Sequence, residues 1–178
     1  MFYNCISLQQ LDINTLASVT DNTNIFNNTG QFSTLILPQI GRTFTLANNK
    51  LDTAGCNQVL TYLRDLNGSI ATSTLNAGGT GYAVGDEVNI SAGNNDAILK
   101  VLTIGAGGAV TSYLLKVAGT GYTVTNALST SNITGTGSGF KVNVTALVAT
   151  QTVTLTGNPG AATCTPAIGT AKNWIVTI

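Results

Sequence analysis

Apolar positions along this chain recur with two periods, and the change from one to the other marks out its elements. Between Asp52 and Asn67 the residues Cys56, Val59, Leu60, Leu63 and Leu66 fall three or four apart, which places them on one helical face. Asp52 or Thr53 can cap the first turn and Asn67-Gly68 can stop the last, so the spacing predicts a helix over 53–66. Its other face carries Asn57, Thr61, Arg64 and Asp65, as suits a helix lying on a sheet. Downstream the period is two. Strands are predicted for Glu87–Ser91, Ala97–Ile104, Ala109–Val117, the stretch through Ala127 to Ser131, Phe140–Thr145, Thr152–Thr156 and Trp174–Ile178, with a helical turn at Ala167–Lys172. Upstream, Phe32–Leu37 and Thr43–Leu46 read as a hairpin around Pro38-Gln39-Ile40-Gly41, and a short helix is placed beside Leu11-Asp12-Ile13.

The strands are organised by a repeat. Gly79-Thr80-Gly81-Tyr82 returns as Gly119-Thr120-Gly121-Tyr122 after 40 residues, and Leu99-Lys100-Val101 returns as Phe140-Lys141-Val142 after 41. The expected fold is mainly β, an antiparallel sandwich or prism of short strands with one amphipathic helix. Two parts are expected: an N-terminal arm and hairpin over 1–50, serving as an attachment segment, and a β-repeat domain over 51–178. The latter holds the helix, repeats at about 78–118 and 119–148, and C-terminal strands at 150–178. Because Tyr82 and Tyr122 follow equivalent turns, each is expected to cover the core of its own repeat, with its hydroxyl at the wet end.

Composition narrows the function. Only 8% of the residues are charged, against roughly 25% in ordinary soluble domains. Their place is taken by 29 Thr, 19 Asn and 20 Gly, and seven basic residues balance seven acidic ones. A surface this poor in charge favours association, because nothing on its sheet edges repels a neighbouring strand. The cations Arg42, Lys50, Arg64, Lys100, Lys116, Lys141 and Lys172 are scattered, which argues against nucleic acid as a partner. Met1-Phe2-Tyr3-Asn4-Cys5 has neither the charged start nor the long apolar run of a secretory or membrane segment, so synthesis and folding in a cytosol are expected. Cys5, Cys56 and Cys164 are too widely spaced for a zinc site and odd in number for a disulfide framework; they read as reduced core residues.

Chemistry has few carriers, since the chain has no histidine. Asp86 and Glu87 could act as a glycosidase pair, but neighbours on a strand point to opposite faces, and Asp86 reads instead as a turn residue bonding local amides. Asn94, Asn95 and Asp96 could offer oxygens to calcium, yet a single acid makes a poor site. Gly135-Thr136-Gly137-Ser138-Gly139 is glycine-rich, but it lacks the Lys-Ser/Thr of a phosphate loop and leads into a strand. No catalytic, cofactor-binding or metal-binding residue is assigned, and the chain does not read as an enzyme.

Three stretches resemble bacteriophage virion proteins of the fibre, spike and head-decoration type. They are Leu51-Asp52-Thr53 through Asn67-Gly68 to Leu75-Asn76, the Gly-Thr-Gly-Tyr-x-Val-Gly-Asp-x-Val repeat, and Leu155-Thr156-Gly157-Asn158-Pro159 with Ile168-Gly169-Thr170-Ala171-Lys172-Asn173-Trp174. Gly85-Asp86 of the first repeat is replaced by Thr125-Asn126 in the second. The resemblance implies a β-rich homo-oligomer, commonly a trimer, attached to capsid or tail proteins by a terminal segment and displayed on a virion made in the host cytoplasm. The alternative is a host-glycan-binding adhesin working through loops near Asp96 and Gly135.

Overall fold

The computed structural model describes residues 10–12, 34–36, 41 and 43–178. The chain divides into two compact units, one of residues 1–66 with 150–178 and the other of residues 67–149. The second is therefore an insertion into the first. This corrects the expected division after residue 50, because the helix and the C-terminal strands belong with the N-terminal part and not with the repeats.

In the first unit, β1 (Gln10–Asp12) pairs in parallel with β2 (Thr34–Ile36), so Leu11 and Asp12 lie in a strand; Ile13 and the residues after it, where a short helix was expected nearby, lie outside the described residues. The expected hairpin does not form, since β3 (Phe44–Thr45) joins a different sheet; Pro38, Gln39 and Ile40 lie outside the described residues. That sheet is parallel, in the order β11 (Trp174–Thr177), β10 (Gln151–Thr154), β3. Helix α1 (Thr53–Tyr62) starts where expected, with the Asp52 carboxylate accepting from Gly55 N at 2.8 Å. It ends four residues early, at an extended Leu63. The Lys172 ammonium caps that end, donating to the carbonyls of Leu60 (3.4 Å), Thr61 and Leu63 (2.9 Å). A cation there satisfies orphan carbonyls and opposes the negative end of the helix dipole. Burial pulls its pKa below the usual lysine range, against the attraction of Asp65. α2 (Ala167–Thr170) packs on α1 through Gly169, where a Cβ would lie 2.7 Å from Val176 and 3.2 Å from Leu60.

Polar side chains organise this unit as much as apolar ones. Trp174 is buried edge-on against Phe44, ring centroids 6.0 Å apart, and donates its indole N–H to Arg64 O at 2.9 Å. Asn158 is buried and fully used: its amide donates to Leu46 O (2.8 Å) and Leu155 O (2.7 Å) while its oxygen accepts from Leu51 N (3.2 Å). One side chain thus ties the Leu51 segment to the ends of β3 and β10, whose own pairing continues through Leu46 N–Thr154 O and Asn48 N–Thr156 O.

The inserted unit is mainly β and antiparallel, as expected. Its six strands form one sheet in the order β4 (Ile70–Thr80), β9 (Ser138–Leu147), β8 (Thr125–Asn132), β5 (Glu87–Ile90), β6 (Ile98–Ile104), β7 (Val110–Val117). Exchanging the repeats, with β4 for β7, β5 for β8 and β6 for β9, reads the same order backwards. The unit therefore has an internal two-fold relation, and Ile90↔Thr130, a pair 40 residues apart, lies on its axis. The backbone repeats it: Gly81 N and Tyr82 N bond to Gly107 O and Gly108 O (2.8 and 3.0 Å), and Gly121 N and Tyr122 N bond to Asn67 O and Gly68 O (2.8 and 3.0 Å). Both members of each bond are shifted by 40. The structural repeats consequently begin at Asn67 and Gly107, about ten residues before the expected bounds, and Asn67-Gly68 opens the first repeat besides following the helix.

The sheet curls around a core of Ile70, Val88, Ile90, Leu99, Val101, Val110, Phe140, Val142 and Val144. Both repeat tyrosines are buried in it, but each crosses to the other repeat. Tyr82 meets Phe140 edge-on at 5.8 Å, whereas Tyr122 accepts from Ala97 N (3.0 Å) and donates to Ile90 O (3.2 Å). The Tyr122 hydroxyl is thus internal and not at a wet end, and burial raises its pKa. Tyr82 rests on Gly137, where a Cβ would lie 2.4 Å from the ring, so this glycine is kept for room.

Candidate functional site at the barrel seam

β4 and β7 are the two ends of the six-stranded sheet, and they run antiparallel to each other where it closes. Both ends of this seam are pinned by backbone bonds. Ile70 N donates to Ala118 O at 3.0 Å, and Gly81 and Tyr82 are held at the other end by Gly107 and Gly108. Gly78 makes the approach possible, since a Cβ there would fall 2.5 Å from Val110 O.

Between the pins no ladder joins the strands. A slot of about 430 Å³ opens instead, lined by Ala71, Thr72, Ser73 and Leu75 from β4 and by Thr111, Ser112, Tyr113 and Leu115 from β7. Each β7 residue stands 40 positions after a β4 residue, so the slot straddles the two-fold axis. Of these four pairs only Leu75 and Leu115 are identical, and the largest departure from symmetry is at Ser73 and Tyr113. Tyr113 reaches across to donate to Ser73 Oγ at 2.9 Å, with its ring 5.5 Å from Phe140. Burial pushes its phenol above the usual range, and the Ser73 bond works against that shift.

The flanks of the slot are apolar. Eight large apolar side chains of this unit are exposed, and five of them, Leu75, Leu102, Ile104, Leu114 and Val117, belong to β4, β6 and β7. The whole unit carries six charged residues: Asp86, Glu87, Asp96, Lys100, Lys116 and Lys141. Threonine supplies polar pairing in place of ions, as in Thr103···Thr111 (2.7 Å) and Thr72···Thr145 (2.7 Å).

The residues singled out in sequence are placed elsewhere and do not converge. Asp86 accepts from Ala83 N at 2.9 Å, closing the turn it was expected to close, and packs on Gly135. Glu87 is paired with Lys116 at 2.7 Å. Asp96 spends one oxygen on Thr120 N and the other on Thr120 Oγ1, both at 2.9 Å, and Asn94 donates to the same hydroxyl at 2.9 Å. The loop acids thus clamp turns of the repeat. Among the described residues no three acids or cysteines gather as metal ligands would, and no helix is long and apolar enough to cross a membrane. Sequence reasoning did not reach the seam residues. Their signal was the 40-residue offset itself, carried back from the Gly-Thr-Gly-Tyr turns to the strands before them. No protein family, curated protein or solved structure matches the chain.

Proposed function

We propose that this chain is a virion structural protein, a fibre or capsid-decoration component that acts by assembling with copies of itself and being displayed on a phage particle. One observation carries the reading: in the inserted barrel, exposed large apolar side chains outnumber charged residues eight to six, and most lie on the three strands around an unpaired seam. A surface of that kind gains about 25 cal/mol for each Å² of apolar area it covers. Few charges have to be desolvated in the process, and unpaired strand edges add hydrogen-bonding groups. The resemblance of the repeat to phage fibre and decoration proteins supplies the setting, a particle assembled in the host cytoplasm.

The test is mass in solution by light scattering, with a double variant, Leu102→Glu and Leu114→Glu, as the control. The native chain is expected to be oligomeric at micromolar concentration. The variant should be monomeric yet keep the native far-ultraviolet circular dichroism, because both side chains are about half exposed in the single subunit; its thermal midpoint should lose the part that association supplies. A native chain that stays monomeric removes the assembly reading. Labelling of intact particles with an antibody against the barrel then tests display.

A further inference from the structure

Residues 160–165 run alongside the first turns of α1 and are fastened to it at three points. Gly160 N donates to Leu51 O at 2.9 Å, and the backbones touch so closely that a Cβ on Gly160 would fall 2.0 Å from the Asp52 carbonyl carbon. Thr163 and Thr53 share a hydroxyl hydrogen bond of 2.5 Å. Thr165 N donates to Asn57 Oδ1 at 2.7 Å. Inside this bracket sit two cysteines, Cys56 on the helix and Cys164 on the segment. The Cys56 thiol lies 3.9 Å from Leu51 O, the carbonyl that also holds Gly160. Cys164 N bonds to Gly160 O at 2.9 Å and its thiol to Ala161 O at 3.1 Å. The Cys164 thiol is therefore tied to the stretch around Gly160 directly, and the Cys56 thiol through the Leu51 carbonyl that Gly160 shares. They sense each other electrostatically: after burial, the neighbouring Cys164 is the next largest cause raising the Cys56 pKa. Both are free, with Cys56 buried and Cys164 partly exposed.

We propose that Cys56 and Cys164 are a disulfide-forming pair, reduced as synthesised and closed by a disulfide oxidant such as oxidised glutathione. The exposed partner reacts first. The Cys164 thiol gives its proton to water, and its thiolate attacks one sulfur of the oxidant. The oxidant's S–S bond breaks, one glutathione leaves as thiolate, and a mixed disulfide remains on Cys164. Cys56 then loses its proton, and its thiolate attacks the Cys164 sulfur and expels the second glutathione. Two protein thiols are oxidised by two electrons, and one glutathione disulfide is reduced to two thiols. Burial pushes the Cys56 thiol up to about 11, so the closing step is the slow one at neutral pH and speeds up in alkali. The bond would tie α1 to the C-terminal segment across the loop that contains the whole barrel. The inference stands independently of the virion reading; within that reading it is a lock set after the particle leaves a reducing cytosol.

The experiment uses the full chain with Cys5→Ser, which leaves these two thiols alone, incubated with excess oxidised glutathione at about pH 8. Acid quenching, alkylation under denaturing conditions, intact mass and peptide mapping follow. Expected are the loss of two hydrogen atoms, no alkylation, and one linked peptide pair containing Cys56 and Cys164. The thermal midpoint should rise by several degrees and fall back with a dithiol reductant. Adding Cys56→Ser should arrest the reaction at a glutathione adduct on Cys164. Arrest at that adduct with Cys56 present overturns the pairing, as does full alkylation of both thiols after long exposure, or a bond between two chains.

Discussion

The inserted barrel and the unit it interrupts solve the same shortage of charge in different ways. In the barrel, backbone ladders and a shared apolar core do the work, and each repeat is completed by the other through β4–β9, β6–β7 and the crossed tyrosines. The interrupted unit has a three-stranded sheet and a ten-residue helix, and side chains fill in where ladders are missing: Asn158, Lys172 and Trp174 bond backbone carbonyls that no strand reaches. The contrast teaches that symmetry lets a short sequence motif specify a closed sheet, whereas an irregular unit needs particular polar residues at particular places. It also implies that the two units fail separately.

Phe140→Ala is the sharpest way to break the barrel. Phe140 stands between Tyr82 and Tyr113 in the core, and truncation of a buried phenylalanine costs about 3–5 kcal/mol. Amide exchange should lose protection over residues 70–147 together, because repeats that complete each other cannot open singly. Protection that persists in one repeat would break the claim of mutual completion. Asn158→Ala is the matching test of the other unit. It strands Leu51 N and leaves Leu46 O with Asn49 Nδ2 and Leu155 O with the backbone N–H of residue 158, at about 1–3 kcal/mol by the cost of an unsatisfied buried group. Exchange should quicken at 44–66 and 150–178 and stay unchanged over 70–147.

Alkali sharpens the comparison without a change at neutral pH. Burial raises Cys56 from 9.0 to about 11, so the unfolded chain releases this proton first. Stability from this group is complete below pH 9.0 and drains away as pH climbs through about 11. Tyr113 and Tyr122, both raised by burial, act in the same direction in the barrel, while Lys172, with its pKa lowered, acts in the opposite direction. Denaturant midpoints taken up this range should decline in the interrupted unit, and Cys56→Ala should flatten the decline although it starts from a less stable protein.

What could be read in the sequence follows the same division. Period-two alternation located β5 to β11 to within a few residues, and the Asp52 cap located the start of α1, because both depend on neighbours in the chain. The end of α1 was misread because Lys172, over a hundred positions away, holds the last carbonyls at Leu60, Thr61 and Leu63. Asn158 lies between Gly157 and Pro159, as a turn residue would, but its side chain is buried and two of its three partners, Leu46 O and Leu51 N, are over a hundred positions away. The repeat was visible as two turns. That it closes a barrel with crossed tyrosines was not visible, since a spacing of 40 fixes equivalence and leaves open which copy pairs with which. The seam slot follows from that pairing and so stayed hidden with it.

The barrel's first and last strands enter and leave side by side, with Val148 N bonded to Ser69 O at 2.8 Å and Ile70 paired with Leu147. To the rest of the polypeptide, everything between these residues is a loop of almost no span, whatever its length. Such a junction works as a cassette port: another closed module with adjacent ends could be spliced there, and the host unit would keep its chain path. Exchange of the module at 67–149 would then leave the sequence of α1 and of the parallel sheet untouched.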